Sequence, residues 1–264
     1  MRIKVDNDMH IHSYISACSG DPEQTAERLL SYAKENGLKT ICVADHLWDD
    51  AVEGASGWYM PQNYEHISQI LPLPKSDDVR FLFGCETELD KNLTLGLSPE
   101  KFDLFDFIII PTTHFHMTGF TMSDEDSVDA SSRAKAWIRR FDAVLNMDLP
   151  FHKVGIAHLT CGLIAPQRQE FLDTLNLISD DELKRLFTRA AELGVGIELN
   201  AAGFGFPEEE TDTIMRIFKT AKECGCKFYF GSDAHHPAAF ETTLERLNRA
   251  VDLLNLTEED RFVI

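Results

Sequence analysis

His10 and His12 stand one residue apart in "VDNDMHIHSYISACSGD", close to the start of the chain. In an extended segment, residues i and i+2 share a face, so the two imidazoles point the same way. Such a pair either shares a solvated edge or shares a cation, and taken alone it does not decide between the two. The rest of the chain supplies further groups of the same chemistry. His46 closes the apolar run "TICVADH", and Glu86 falls late in "RFLFGCETEL". His114 follows "FDFIIIPTT", His158 ends "KVGIAHLT", and Asp233 and His235 follow "CKFYFGS". Each has an ordinary structural reading: a histidine after a strand is a hydrogen-bonded boundary residue, and an isolated glutamate pairs with a lysine. Together, eight nitrogen and carboxylate donors exceed what one metal ion takes and point to two or three. His66, His116, His152 and His236 are read as surface or supporting residues, and Asp45 as a carboxylate that orients its neighbour His46.

The elements that must carry these residues alternate. Short β-rich runs are followed by helical patterns, which predicts βα units on a parallel sheet. Asp21, Pro22 and Gly37 are the expected N-cap, first residue and C-terminal stop of the first helix. Further helices are expected over "SVDASSRAKAWIRRFDAVLNM", over "DDELKRLFTRAAELG" ending at Gly194, and over "PEEETDTIMRIFKTAKECG". "AAFETTLERLNRAVDLLNL" gives a last helix. Seven strands result, in one domain over residues 1–264, with a closed or nearly closed barrel as the reading with fewest exceptions. Barrels of this kind gather the C-terminal ends of their strands on one rim, and the metal-capable residues all end strands.

Composition narrows the function. A formal charge of −19 speaks against long nucleic acids and anionic membranes as partners. Six cysteines without a disulfide-type spacing, and no apolar leader or membrane-length run, predict a cytoplasmic protein. The same acidity requires local positive charge for any anionic substrate, and clustered dications provide it.

The ordered motifs "HIHS", "ADH", "GCE", "TTHFH", "AHL" and "GSDAHHP" resemble those of the polymerase and histidinol phosphatase (PHP) superfamily of metal-dependent phosphoesterases. "IELNAAGF" is similar to the strand before that family's last motif, and the resemblance spans residues 8 to 237. It implies a distorted (β/α)7 barrel with its metal site at the C-terminal strand ends. It also implies two or three divalent ions (zinc, manganese or iron). One would be held by His10, His12, Glu86 and Asp233, and a second by Glu86, His114 and His158. A third would be held by His46 and His235 with Cys18, which stands where relatives have histidine. Catalysis would fall to Glu86, Asp233 and His235, with hydroxide generated at the metals attacking phosphorus and His235 or His116 aiding the leaving oxygen. Arg168, in the loop "CGLIAPQRQEF" expected after the fifth strand, and secondarily Arg133, are expected to bind phosphate; Tyr14 and Asn200 are expected to face the pocket. The implied activity is a phosphomonoesterase on a small, histidinol-phosphate-like metabolite. Hydrolysis of nucleotides or phosphodiesters on the same metals, or a non-catalytic metal-binding module, are the alternatives. The oligomeric state is not legible.

Overall fold

Strand β1 (Asn7–Ile11) opens a sheet that continues through β2 (Thr40–Leu47), β3 (Arg80–Thr87), β4 (Phe107–Pro111), β5 (Val154–Ala157), β6 (Gly196–Asn200) and β7 (Lys227–Gly231). The computed structural model describes all 264 residues. The seven strands are parallel and lie side by side in chain order. The circle is nearly closed between β7 and β1. There the main chain contributes Asp233 N to His10 O (2.7 Å) and His12 N to Ala234 O (3.0 Å). Lower down, side chains replace a strand ladder: Asn7 Oδ1 accepts from Phe230 N and Asp8 Oδ1 from Ser232 N. Backbone donors that would otherwise be buried without a partner are satisfied in this way.

Seven α-helices accompany the strands: α1 (Ala26–Glu35), α2 (Tyr64–Ile67), α3 (Ala130–Leu145), α4 (Arg168–Leu177), α5 (Asp180–Leu193), α6 (Thr211–Glu223) and α7 (Thr243–Leu254). The expected stop at Gly194 is present, with φ +74°, a conformation that glycine adopts without a Cβ penalty. The first helix starts later than expected. Thr25 caps α1 by accepting from Arg28 N, while Asp21 accepts from Glu23 N in a preceding turn. Both are good caps, and the one adjoining the apolar stripe of α1 prevails. Helix α4 lies where only a loop was read, because its polar entry "PQRQEF" hides the apolar spacing that begins at Phe171.

The alternation of side chains along the strands decides what faces inward. Met9, Cys42, Ala44, Leu82, Phe107, Ile109, Ala157 and Tyr229 fill the lower barrel, while the intervening Ile41, Val43, Ile108, Ile110, Ile197 and Phe230 pack outward against the helices. Two residues beyond inward-facing Ala44 comes His46, and four beyond Leu82 comes Glu86. The apolar floor and the polar rim are thus the two ends of one inward face.

Candidate metal centre

Glu86 is the hub. It is 1% exposed, and neither carboxylate oxygen has a hydrogen-bond partner. Five imidazoles ring it. His46 Nδ1, His12 Nε2 and His10 Nε2 lie 2.9, 3.3 and 3.6 Å from Oε2, and His158 Nε2 and His114 Nε2 lie 3.2 and 3.9 Å from Oε1. Asp233 makes a second bridge, with Oδ1 3.3 Å from His12 Nε2 and Oδ2 3.4 Å from His158 Nε2. The Nε2 atoms of His10 and His12 are 3.2 Å apart, and both ring nitrogens of His158 are buried without a partner. A buried carboxylate left without donors is costly. Facing ring nitrogens and orphaned carboxylate oxygens are what a site for divalent cations requires, so the residues fit the group.

The ligand-capable atoms form four overlapping sets, each within 4.8 Å: His10, His12 and Glu86; Glu86, His114 and His158; His12, Cys18, His46 and His235; and His10, His158 and Glu198. The first holds three of the four residues expected together, without Asp233, and the second holds the three expected there. The third adds His12 to His46, His235 and Cys18.

Local structure aims these groups. A register shift between Asp8 and Ile11 lets His10 and His12 converge. His158 directly follows inward-facing Ala157, so regular alternation would turn it outward; a left-handed backbone (φ +54°) swings it back. Asp233 is also left-handed, at φ +56°. Non-glycine residues rarely adopt this region, and its cost is sustained at sites where the surroundings impose it. His235 donates from Nδ1 to the carbonyl of Asp233 (2.8 Å), which leaves Nε2 free to ligate.

Supporting carboxylates complete the arrangement, and two of them were not found in the sequence. Glu198 accepts from His10 Nδ1 at 2.7 Å and from the main-chain N–H of His158 at 2.9 Å. Glu88 accepts from His114 Nδ1 at 2.7 Å and from buried Arg140 at 3.2 Å. Such partners fix the tautomer and orientation of a ligating histidine. Gly231 makes room for the first: a Cβ there would collide with Glu198 Oε1 and come within 2.8 Å of His10 Cβ. Asp45 does not orient His46; it accepts from Ser13 N and Ser13 Oγ at 2.7 and 2.6 Å and so braces the "HIHS" turn. Asn200 does reach the centre, donating to Asp233 Oδ2 at 3.3 Å. Tyr14 points to a separate surface depression beside α1.

Charge follows geometry. Burial opposes ionisation of Glu86 and Asp233, yet the neighbouring imidazoles hold both well below the usual carboxylate range. Burial likewise opposes the imidazolium of His10, but Glu198, Asp233 and Glu86 raise it well above 6.5; His12, against Asp233 and Glu86, rises to about 9. These protons supply the positive charge that the carboxylates demand. His235 and His116 go the other way, to about 3 and about 4, through burial and adjacent imidazoles. Both are thereby biased to the neutral form in the metal-free centre.

The expected phosphate-binding arginines lie apart from the centre. Arg168, on the first turn of α4, pairs with Glu210 (Nε–Oε1 2.9 Å) and covers Phe171. It does not line the cavity at the centre; a helix in place of the expected loop carries it to the neighbouring acidic residue. Arg133 lies in the adjacent depression and donates to Glu170 and to the carbonyl of Ser127.

No protein-family model matches the chain. A probable phosphatase from Caldicellulosiruptor saccharolyticus is 24% identical over 241 residues, which cover 90% of this chain and 81% of that protein. Among solved structures, the histidinol phosphate phosphatase HisK of Lactococcus lactis, determined with zinc, L-histidinol and phosphate, superposes with a TM-score of 0.62. That match has 17% identity over 95% of this chain and 93% of that one. The likeness is one of fold, and the shared fold is the seven-stranded barrel expected from the sequence.

Proposed function

We infer that this chain, which has the barrel and the ordered motifs of the PHP superfamily, is a metal-dependent phosphomonoesterase acting on a small phosphorylated molecule. The observation that carries the reading is Glu86, buried without a hydrogen-bond donor at the meeting point of five imidazoles. In this reading His10, His12, Glu86 and Asp233 hold one cation, Glu86, His114 and His158 a second, and His46, His235 and Cys18 a third. Bound cations of this kind neutralise phosphoryl charge and acidify water, the two requirements of ester hydrolysis. The chain's own part is positional. Glu198 and Glu88 hold the Nδ1–H groups of His10 and His114, and Asn200 steadies one oxygen of Asp233. The ionised Glu86 and Asp233 supply the negative charge that cations would answer in place of the imidazolium protons.

The phosphatase relative and the fold shared with HisK support this assignment. We also take residues 1–264 as one functional unit. The cytoplasm is the proposed compartment, in keeping with six free thiols; no helix is long and apolar enough to cross a membrane. The test is reconstitution of chelator-stripped protein with zinc or manganese, followed by metal analysis and inorganic phosphate release from a panel of monoesters. Release that requires metal and is lost in Glu86→Gln supports the assignment. A protein holding two or more ions per chain that frees no phosphate from any monoester overturns it, and less than one ion per chain favours a non-catalytic module.

A further inference from the structure

The cavity above the centre, about 420 Å³, is lined by thirteen residues, and none of them is lysine or arginine. Its only carboxylates are Glu86 and Asp233, both already facing imidazoles. The wall is apolar. Trp58 and Tyr59 come from the segment after β2, Met117 and Phe120 from the segment after β4, and Leu163 from the one after β5. Trp58 and Leu163 are 40% and 42% exposed, large apolar side chains left open beside an ionic centre. The aromatic part is braced from behind. Trp58 stands edge-on to Tyr59 and His46, with ring centroids 4.8 and 5.1 Å apart, and Phe120 lies 5.3 Å from both Tyr59 and Trp48. Arg133, in the adjoining depression, is occupied by Glu170 and Ser127.

We propose that this mouth selects phosphomonoesters whose leaving group is uncharged and apolar, an aromatic alcohol above all, with Trp58 as the surface it packs against. The proposal rests on the phosphomonoesterase reading and refines it. An ammonium-bearing alcohol would need a free carboxylate and a second phosphate a cationic side chain, and the wall offers neither; a polyol would need several donors and acceptors, and outside the metal-capable set the wall offers only Ser56 and His116, the Tyr59 hydroxyl being turned to His46 and Glu88. An aromatic ring gains from burial against rigid aromatic faces. The proposal narrows the leaving group within the small phosphomonoesters expected from the sequence.

The experiment compares 2-phenylethyl phosphate, glycerol 3-phosphate and phosphoethanolamine on the zinc-loaded protein. All three leave as primary alkoxides. The expected kcat/KM favours the phenylethyl ester by about tenfold or more. That ratio falls about tenfold in Trp58→Ala and returns in Trp58→Phe. A preference for the glycerol or aminoethyl ester, or a ratio unmoved by Trp58→Ala, overturns the proposal. Calorimetry with 2-phenylethylphosphonate and 2-aminoethylphosphonate separates the two inferences. Tighter binding of the phenyl compound without turnover of any ester upholds the apolar mouth while the phosphatase reading falls. Equal or reversed affinities, or no binding of either, reject the mouth whatever the turnover.

Discussion

Cys18 brings a thiol into a set otherwise made of imidazoles, within 4.8 Å of ligating atoms of His12, His46 and His235. Without a cation, burial and the nearby carboxylates push this thiol up to about 12, so it is protonated at neutral pH. A soft dication changes that, because coordination deprotonates a thiol outright. Cobalt(II) reconstitution is therefore expected to give a near-ultraviolet sulfur-to-metal charge-transfer band that disappears in Cys18→Ser; a band of equal strength in the variant excludes Cys18 as a ligand. Glu198 calls for a different measurement, since it acts on the centre through the Nδ1–H of His10. Glu198→Gln keeps a hydrogen-bond acceptor but loses the charge, and its zinc affinity, read by chelator competition, should fall about 10–100-fold. An unchanged affinity would make Glu198 merely a packing residue.

Helix α3 reaches the centre through a single side chain. Arg140 is fully buried and donates to the carbonyls of Leu89, Asp90, Thr112 and Thr121 and to Glu88, so it ties the segments after β3 and β4 to the helix behind them. Arg140→Met leaves Glu88 buried without its cation, a loss of roughly 3–5 kcal/mol. Denaturant unfolding of the metal-free variant should show it, and a loss below about 1 kcal/mol would mean that the segments hold themselves. This layer was the least legible in the sequence. The rim donors were readable because each is a polar residue ending an apolar run, where it has no packing role. Arg140 carried a weaker signal: it shares the apolar face of α3 with Trp137, Phe141 and Val144, an improbable place for an unpaired cation. Glu198, between Ile197 and Leu199, carried a similar one. Spacing along the chain says that such a charge needs a partner, but which distant histidine or carbonyl answers it is settled only by the closure of the barrel. Arg168 was misplaced for the complementary reason, since a loop was assumed where α4 begins.

Over the whole molecule, the centre exchanges protons for cations. His12 is held at about 9 in the metal-free protein against an ordinary value of 6.5. A raised histidine contributes stability that is fully present below pH 6.5 and is lost as pH rises through about 9, here roughly 3 kcal/mol. The metal-free protein should accordingly lose Tm between pH 6.5 and 9, and metal uptake at pH 7.5 should release protons, which calorimetry in buffers of different ionisation enthalpy detects. A flat Tm profile together with proton-neutral uptake would show that His10 and His12 are unprotonated before binding.

The absence of lysine and arginine from the cavity wall has a kinetic consequence when set inside a molecule of formal charge −19. Three dications would still leave that total well below zero. A phosphate dianion thus approaches through a repulsive far field and meets attraction only at the last few ångströms. Mobile ions shorten that far field more than the near one, since the Debye length falls from about 30 Å at 0.01 M to about 10 Å at 0.1 M. Enzymes steered towards anions by basic surfaces slow as ionic strength rises. Here kcat/KM should climb over that interval in a weakly coordinating salt, and a decline would reveal a steering cation at the entrance.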